Sequence, residues 1–290
     1  MPAMPARPLE AHKGSFGTVV VVGGCATMPG AAALAARAAV RSGAGLVRIA
    51  AEPAVLPWVL LAEPCATGVE LWGGREAFAR VLDEADPARG AVLAVGPGLG
   101  RSVAARERVL AALGDARALV LDADGLNHLA ALAAAGDAAG LLPFAPGRPV
   151  VLTPHPGEYQ RLADALGLPG DPIARAGREV AARSLARATG AVVVLKGAGT
   201  VIAEGDRLRV NATGNPALAT GGSGDVLTGC VGALLAQGAT AYDAATLACH
   251  AHGLAADRWA QVHGLRGLRG PDLADGLPGA FREMEPEGGP

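Results

Sequence analysis

The chain has 290 residues, 51% of them hydrophobic and 18% charged, with a formal net charge of −2, which is enough for a full core in one large domain or two small ones. Aromatics make up 3%, too few for base-stacking platforms, and the near-neutral charge argues against nucleic acid, so the expected partner is a small molecule. The opening Met-Pro-Ala-Met-Pro-Ala-Arg has no apolar signal core, no later run is long enough to span a bilayer, and the four cysteines are scattered with no Cys-x-x-Cys pair; no membrane partner and a reducing cytoplasm are therefore expected.

After a Pro/Ala-rich leader (residues 1–11), His12-Lys-Gly-Ser-Phe-Gly17 opens onto a β-branched run at 18–22, which reads as a buried strand. Met28-Pro-Gly30 leads into an alanine-rich helix at 31–41 closed by Gly43, and 46–50 reads as the next strand. Helical stretches are expected near 55–62 and 76–84, around a turn at Gly73-Gly74. Residues 91–95 form a strand ending in Gly96-Pro-Gly-Leu-Gly100, a helix follows through Leu113, and the strand 118–121 runs into Asp122-Ala-Asp124. The device repeats at 149–152, which ends in Thr153-Pro-His155-Pro-Gly-Glu158, and at 191–195, which ends in Lys196-Gly-Ala-Gly-Thr200. Runs at 201–203 and 208–210 flank Gly205-Asp206 and predict a hairpin. Helices at 226–237 and 242–259 follow, and the chain is expected to end in a frayed tail.

This alternation predicts an α/β fold, a three-layer α/β/α sandwich whose mostly parallel sheet gathers ligands at the carboxyl ends of its strands. The unusual residues obey that rule: each glycine-rich or acidic turn named above falls after a strand or at a helix start. A dinucleotide fingerprint is excluded at Gly96-Pro-Gly-Leu-Gly100 because Arg101 stands where it needs glycine, and a P-loop is excluded because Gly-Lys never occurs. His250 and His252 are two apart, so on a helix they point in different directions and make a poor zinc pair; His252-Gly253 fits packing near a nucleotide. Only two of the 25 basic residues are lysine, Lys13 and Lys196, and both precede glycine. Such placement suits a compact ammonium at a special position.

The most informative stretch is Thr220-Gly-Gly-Ser-Gly-Asp225-Val-Leu-Thr-Gly229, a glycine-rich approach that runs into a helix. Free N–H groups at that helix start, with no Cβ at Gly221, Gly222 or Gly224, suit a phosphate. Asp225 then has two readings, an N-cap or a general base that takes a proton from an attacking hydroxyl. Asp122 and Asp124 are likewise open between helix capping and metal contact.

Taken in order, the motifs His12-Lys-Gly-Ser-Phe-Gly17, Gly96-Pro-Gly-Leu-Gly100, Asp122-Ala-Asp-Gly-Leu-Asn127, Leu152-Thr-Pro-His-Pro-Gly-Glu158, Leu195-Lys-Gly197 and Thr220 to Gly229 resemble those of the ADP/ATP-dependent NAD(P)H-hydrate dehydratases, nearly along the whole chain. The resemblance implies a ribokinase-like fold in a single domain at 12–282, with a flexible leader at 1–11 and a tail at 283–290. It implies a hydro-lyase of nicotinamide nucleotide repair. ADP or ATP phosphorylates the hydroxyl of (S)-NADHX or (S)-NADPHX, and phosphate elimination restores NADH or NADPH. Asp225 matches the base, and Gly222, Ser223 and Gly224 the amides that hold the moving phosphoryl. Lys196, Gly197, Ala198, Gly199, Thr200 and Gly224 match the ADP/AMP segment, while Ala31, Gly98, His155 and Asp225 match positions lining the hydrated dinucleotide. Glu158, placed where ribokinase-like kinases carry an Asn-x-x-Glu, is the expected water-mediated contact to Mg2+, a hard ion that keeps its waters. The segment Asn215-Pro-Ala-Leu-Ala departs from the pattern, with alanine where many members carry glycine-methionine. No fused epimerase is expected in so short a leader; a homo-oligomer working with a separately encoded epimerase is. The alternative is a ribokinase-like kinase for a vitamin-precursor alcohol, a hydroxymethylpyrimidine or hydroxyethylthiazole.

Overall fold

Four consecutive valines after Thr18 favour an extended chain, because β-branched side chains crowd a helix and suit a pleated surface. In the computed structural model, which describes residues 1–86, 88 and 90–285, they form strand β1 (Thr18–Val22). Successive side chains point to opposite faces, so Val20 and Val22 enter one core cluster while Val19 and Val21 enter another. Both faces are covered, which is why this strand reads as an unbroken apolar run.

The remaining strands are β2 (Leu46–Ala51), β3 (Thr67–Glu70), β4 (Val92–Val95), β5 (Ala118–Leu121), β6 (Val150–Leu152), β7 (Val192–Leu195), β8 (Val201–Glu204) and β9 (Arg207–Val210). They form one sheet in the order β3-β2-β1-β4-β5-β6-β7-β8-β9. Pairing is parallel from β3 to β7 and antiparallel from β7 through the terminal β8–β9 hairpin, so the sheet is mostly parallel, as the sequence predicts. Helices α1 (Pro29–Arg41), α2 (Leu56–Ala62), α8 (Ser223–Ala236), α9 (Ala241–His263) and α10 (Gly270–Met284) cover one face. Helices α3 (Arg75–Ala85), α4 (Val103–Gly114), α5 (Asp124–Ala134), α6 (Pro156–Leu166) and α7 (Arg175–Thr189) cover the other. The three-layer α/β sandwich is thus the observed architecture.

One strand and two α-helices go beyond the predicted set. Strand β3 is a short edge strand with one buried residue and an internal glycine, Gly68, so it has no alternation to read. Helix α7 is arginine-rich with an inner stripe of small residues, and α10 contains Pro278, which disguises its helical period. Helix α10 also corrects the predicted tail: Glu283 and Met284 are helical, and residues 286–290 lie outside the described residues. The leader carries no helix or strand, yet Arg7 donates to Gly43 O at 3.1 Å and Gln237 Oε1 at 2.8 Å and stacks 3.6 Å from the Phe16 ring centre. Among the described residues no helix is long and apolar enough to cross a membrane.

The strand order reverses between β1 and β4, and a crevice at the carboxyl ends is expected at such a reversal. There the two loops after β1 and β4 touch backbone to backbone: Gly24 N donates to Pro97 O at 2.9 Å, and a Cβ on Gly23 would lie 2.1 Å from the same oxygen. Beneath them α8 runs under the middle of the sheet, buried from Val226 to Leu235. It lies against α1 so closely that a Cβ on Gly229 would fall 1.9 Å from Ala35 O. Gly229→Ala is therefore expected to cost about 1–3 kcal/mol or more through overpacking, read as a lower urea midpoint at unchanged slope.

Candidate active site

The first turn of α8 faces the carboxyl ends of the strands. Its N-cap is Gly222, held at φ +93°, a conformation natural to glycine. No side chain caps this helix. Asp225 sits at the third helical position and makes no hydrogen bond or ion pair with a described residue, which removes its N-cap reading. The first helical hydrogen bond is Val226 N to Gly222 O at 3.1 Å, so the amides of Ser223, Gly224 and Asp225 precede the ladder and are free to donate to a ligand. Ser223 is turned inward instead: its hydroxyl donates to Thr220 O at 3.0 Å, and its carbonyl accepts from His252 Nε2 at 2.9 Å.

Behind that turn lies a buried ionic network. Asp122, 1% exposed, accepts from Lys196 Nζ at 2.6 Å and from Thr228 Oγ1 at 2.7 Å. Lys196 Nζ also stands 3.8 Å from Glu158 Oε2. A Cβ on Gly224 would lie 3.3 Å from Nζ, so glycine there lets the ammonium approach the helix end. Burial opposes the charge on Lys196, but Asp122, Glu158 and Asp225 outweigh it and raise its pKa. One ammonium does not balance three carboxylates. Burial, followed by repulsion from Asp122, pushes Asp225 up to about 7, and burial likewise raises Glu158 against the pull of Lys196.

Glu158 belongs to a capping box at the start of α6. Its Oε2 accepts from His155 N at 2.8 Å, while His155 Nδ1 accepts from Gly157 N at 2.9 Å and Glu158 N at 3.3 Å. With Nδ1 accepting, the neutral ring carries its proton on Nε2, 3.3 Å from Glu158 Oε1. Burial and then the charges of Lys196 and Arg161 lower the His155 pKa and keep the ring neutral. Asp122 and Asp124 cap nothing, because α5 has no side-chain cap. Asp122 holds Lys196 and Thr228. Asp124 Oδ2 accepts from Gly100 N at 2.9 Å and pins the glycine turn. Among the described residues no group of three His, Cys, Asp or Glu side chains that could hold an ion is present.

Lys196, Gly197, Ala198, Gly199 and Thr200 line a cavity of about 450 Å³ together with Ser223 and Gly224. Its other walls come from 211–219 and from α9 at Cys249, His252 and Gly253. Asn211 Nδ2 donates to Cys249 O at 3.2 Å, and Asp257 accepts from Gly214 N at 2.9 Å and Asn215 Nδ2 at 2.8 Å, which folds the segment onto α9. Asn211, Thr213 and Asp257 were not among the expected site residues; their only sequence signal is short polar side chains within a glycine-bearing loop. His252 is buried and lowered to about 4 by that burial, so it is a neutral wall. Lys13 is exposed on a 3-10 helix (Lys13–Phe16) and takes no part in this cavity.

Ala31 and Gly98, two of the residues expected to line a dinucleotide, form a rim where the loop after β4 meets α1. Gly98 has φ +60°, and a Cβ there would lie 2.4 Å from Met28 O and 3.0 Å from Ala31 Cβ. Three residues along α1, Leu34 packs where a Cβ on Gly222 would be, 2.6 Å away. Gly98 and Ala31 thus adjoin Gly222 through α1, while Asp225 feels the charges of Asp122, Lys196, Asp124 and Glu158, and His155 lies beside Glu158. The arrangement offers free helix amides, an ammonium, a carboxylate with raised pKa, and a nucleotide-sized cavity, which together suit phosphoryl transfer to a hydroxyl.

Comparison with known proteins agrees. A family model described as NAD(P)H-hydrate dehydratase matches residues 19–278. The chain is 41% identical over 293 residues to the bifunctional NAD(P)H-hydrate repair enzyme Nnr of Moorella thermoacetica, covering 98% of this chain and 53% of that protein; it spans about half the length of such curated relatives. Among solved structures, a ribokinase-like superfamily protein from Enterococcus faecalis has a TM-score of 0.79 at 27% identity, covering 97% of this chain and 92% of that one. The ADP/ATP-dependent NAD(P)H-hydrate dehydratase of Bacillus subtilis, co-crystallised with ATP/Mg2+, has a TM-score of 0.78 at 32% identity, covering 97% and 95%.

The raised Asp225 pKa makes stability depend on pH. An unfolded Asp ionises near 3.8 and this one near 7, so the unfolded state loses its proton first and wild-type stability falls as pH rises across that window. Asp225→Asn is expected to melt higher than wild type at pH 8, with the difference vanishing near pH 4, in paired thermal scans.

Proposed function

The chain belongs to the NAD(P)H-hydrate dehydratase family, and on that premise we propose that it converts (S)-NADHX and (S)-NADPHX back to NADH and NADPH at the expense of ADP or ATP. The observation that carries this reading is the Asp225 carboxylate: uncapped, unpaired, raised towards neutrality, and one residue from the amides that border the nucleotide cavity.

In this mechanism the adenine nucleotide lies along Lys196, Gly197, Ala198, Gly199 and Thr200 with its terminal phosphoryl at the start of α8. The hydrate rests between Ala31, Gly98 and His155. Asp225 takes the proton of the C6 hydroxyl as its oxygen attacks phosphorus. The amides of Ser223 and Gly224, with Gly222 shaping their approach, stabilise charge on the transferred group, and Lys196 adds its positive charge from behind Gly224. The ring nitrogen lone pair then expels phosphate from C6, and loss of the C5 proton restores the double bond. The donor leaves as AMP from ADP, or as ADP from ATP.

Among the described residues no group of three His, Cys, Asp or Glu side chains surrounds an ion, so magnesium here would keep waters and share the nucleotide's phosphates, with a carboxylate reached through water. Glu158 would hold it that way, and the ion would offset phosphate charge. The substrate epimer needs a second activity to supply it, and the bifunctional name of the Moorella relative supports an epimerase as partner.

Incubation of the protein with hydrated NADH, Mg2+ and ADP or ATP is expected to regenerate the dihydronicotinamide absorbance; no return with either nucleotide refutes the reading, and a persistent phosphorylated product indicates a kinase instead. Asp225→Asn is expected to lower kcat by about 10²- to 10⁴-fold, the usual contribution of a positioned base, while ADP affinity by calorimetry changes little. Since the base works ionised and ionises near 7, kcat/KM is expected to fall as pH drops below about 7 and to level off above it. A profile flat from pH 5 to 8 removes Asp225 from that role.

A further inference from the structure

A second cavity, of about 370 Å³, opens where α4 begins, between α4, α5 and α6. Its wall carries Arg101, Arg106 and Arg161, with Ser102, Asn127 and His128. It adjoins the dinucleotide rim through a single turn: His128 Nε2 lies 2.9 Å from Gly100 O, and Gly100 is two residues beyond Gly98. Arg161 stands one helical turn after Glu158, close enough for its charge to bear on both His155 and Glu158.

The three guanidinium groups are held but not used up. Arg161 Nη1 donates to Asn127 Oδ1 at 3.0 Å. Arg106 pairs with Asp137, and Arg101 Nε is 4.0 Å from Asp124 Oδ1, a carboxylate whose other oxygen is fixed by Gly100 N. Each guanidinium has five N–H donors, so most remain available. Three forks around one concavity match a phosphate monoester, which offers three acceptor oxygens and close to two negative charges. A bridging diphosphate would instead follow the bare glycine backbone of 96–100, nearer the reacting ring.

We propose that this cavity receives the adenosine end of the hydrated dinucleotide, and that Arg101, Arg106 and Arg161 grip the 2′-phosphate that distinguishes NADPH from NADH. The proposal rests on the dehydratase reading. It assigns Arg101, the residue that spoils the dinucleotide fingerprint in the sequence, to specificity.

The test compares kcat/KM for hydrated NADPH and hydrated NADH, with Mg2+ and ADP, in wild type, Arg101→Gln, Arg161→Gln and the double variant. The ratio of the two values is expected to fall about tenfold or more in the double variant, the scale of one charge-assisted contact. An unchanged ratio, or equal losses on both hydrates, overturns the proposal. Should wild type turn over neither hydrate, the dehydratase reading falls by itself, and a binding measurement still decides this one. With the nucleotide cavity filled by saturating magnesium ADP, calorimetry should show adenosine 2′,5′-bisphosphate binding wild type more tightly than AMP, with the advantage lost in the double variant. Equal affinities in wild type refute it.

Discussion

The site is organised by the buried contact between Asp122 and Lys196. Asp122 follows β5 and Lys196 follows β7, so their 2.6 Å contact ties two strand ends across β6. Thr228 joins from α8 and fixes the same carboxylate at 2.7 Å. A buried carboxylate left without partners is strongly destabilising, and here both oxygens are satisfied. The ammonium, held from behind, is presented at Gly224, where the absence of a Cβ leaves it room. Burial and repulsion from Asp122 keep the carboxyls of Glu158 and Asp225 far less acidic than exposed ones, against the pull of Lys196. Asp122, which anchors the strand ends, thereby also helps to bring a base near working pH.

Close backbone approach is the second constraint. Gly23 against Pro97, Gly98 against Met28 and Ala31, Gly222 against Leu34, and Gly229 against Ala35 are all positions where a Cβ would collide. Together they let the loops after β1 and β4 and the ends of α1 and α8 approach closely.

Much of the fold was legible in the chain. β1, β4, β5 and β7 are short apolar runs, each followed by a polar or glycine turn, because strands covered on both faces leave no polar alternation to confuse them. β3, α7 and α10 were not, since each owes its structure to neighbours: an edge pairing with β2, a stripe of small residues, a helix that tolerates Pro278. In the site, the run Lys196, Gly197, Ala198, Gly199 and Thr200 could be read directly. Asn211, Thr213, Asp257 and the arginines of the second cavity could not, because their placement depends on how loops and helices distant in sequence fold together.

By itself the sequence determined the alternation of strand and helix, the family, and the identity of the reactive stretch around Asp225, all of which are encoded by residues within a few positions of one another. It left open whether Asp225, Asp122 and Asp124 finish helices or serve chemistry. Only the tertiary structure decided that they do not cap, by making Gly222 the cap of α8, sending Asp122 to Lys196 and Thr228, which lie 74 and 106 residues away, and turning Asp124 to Gly100. The reason is physical: a carboxylate's role follows from its burial and from the charges around it, and those are set by chain segments that meet only when the sheet has closed.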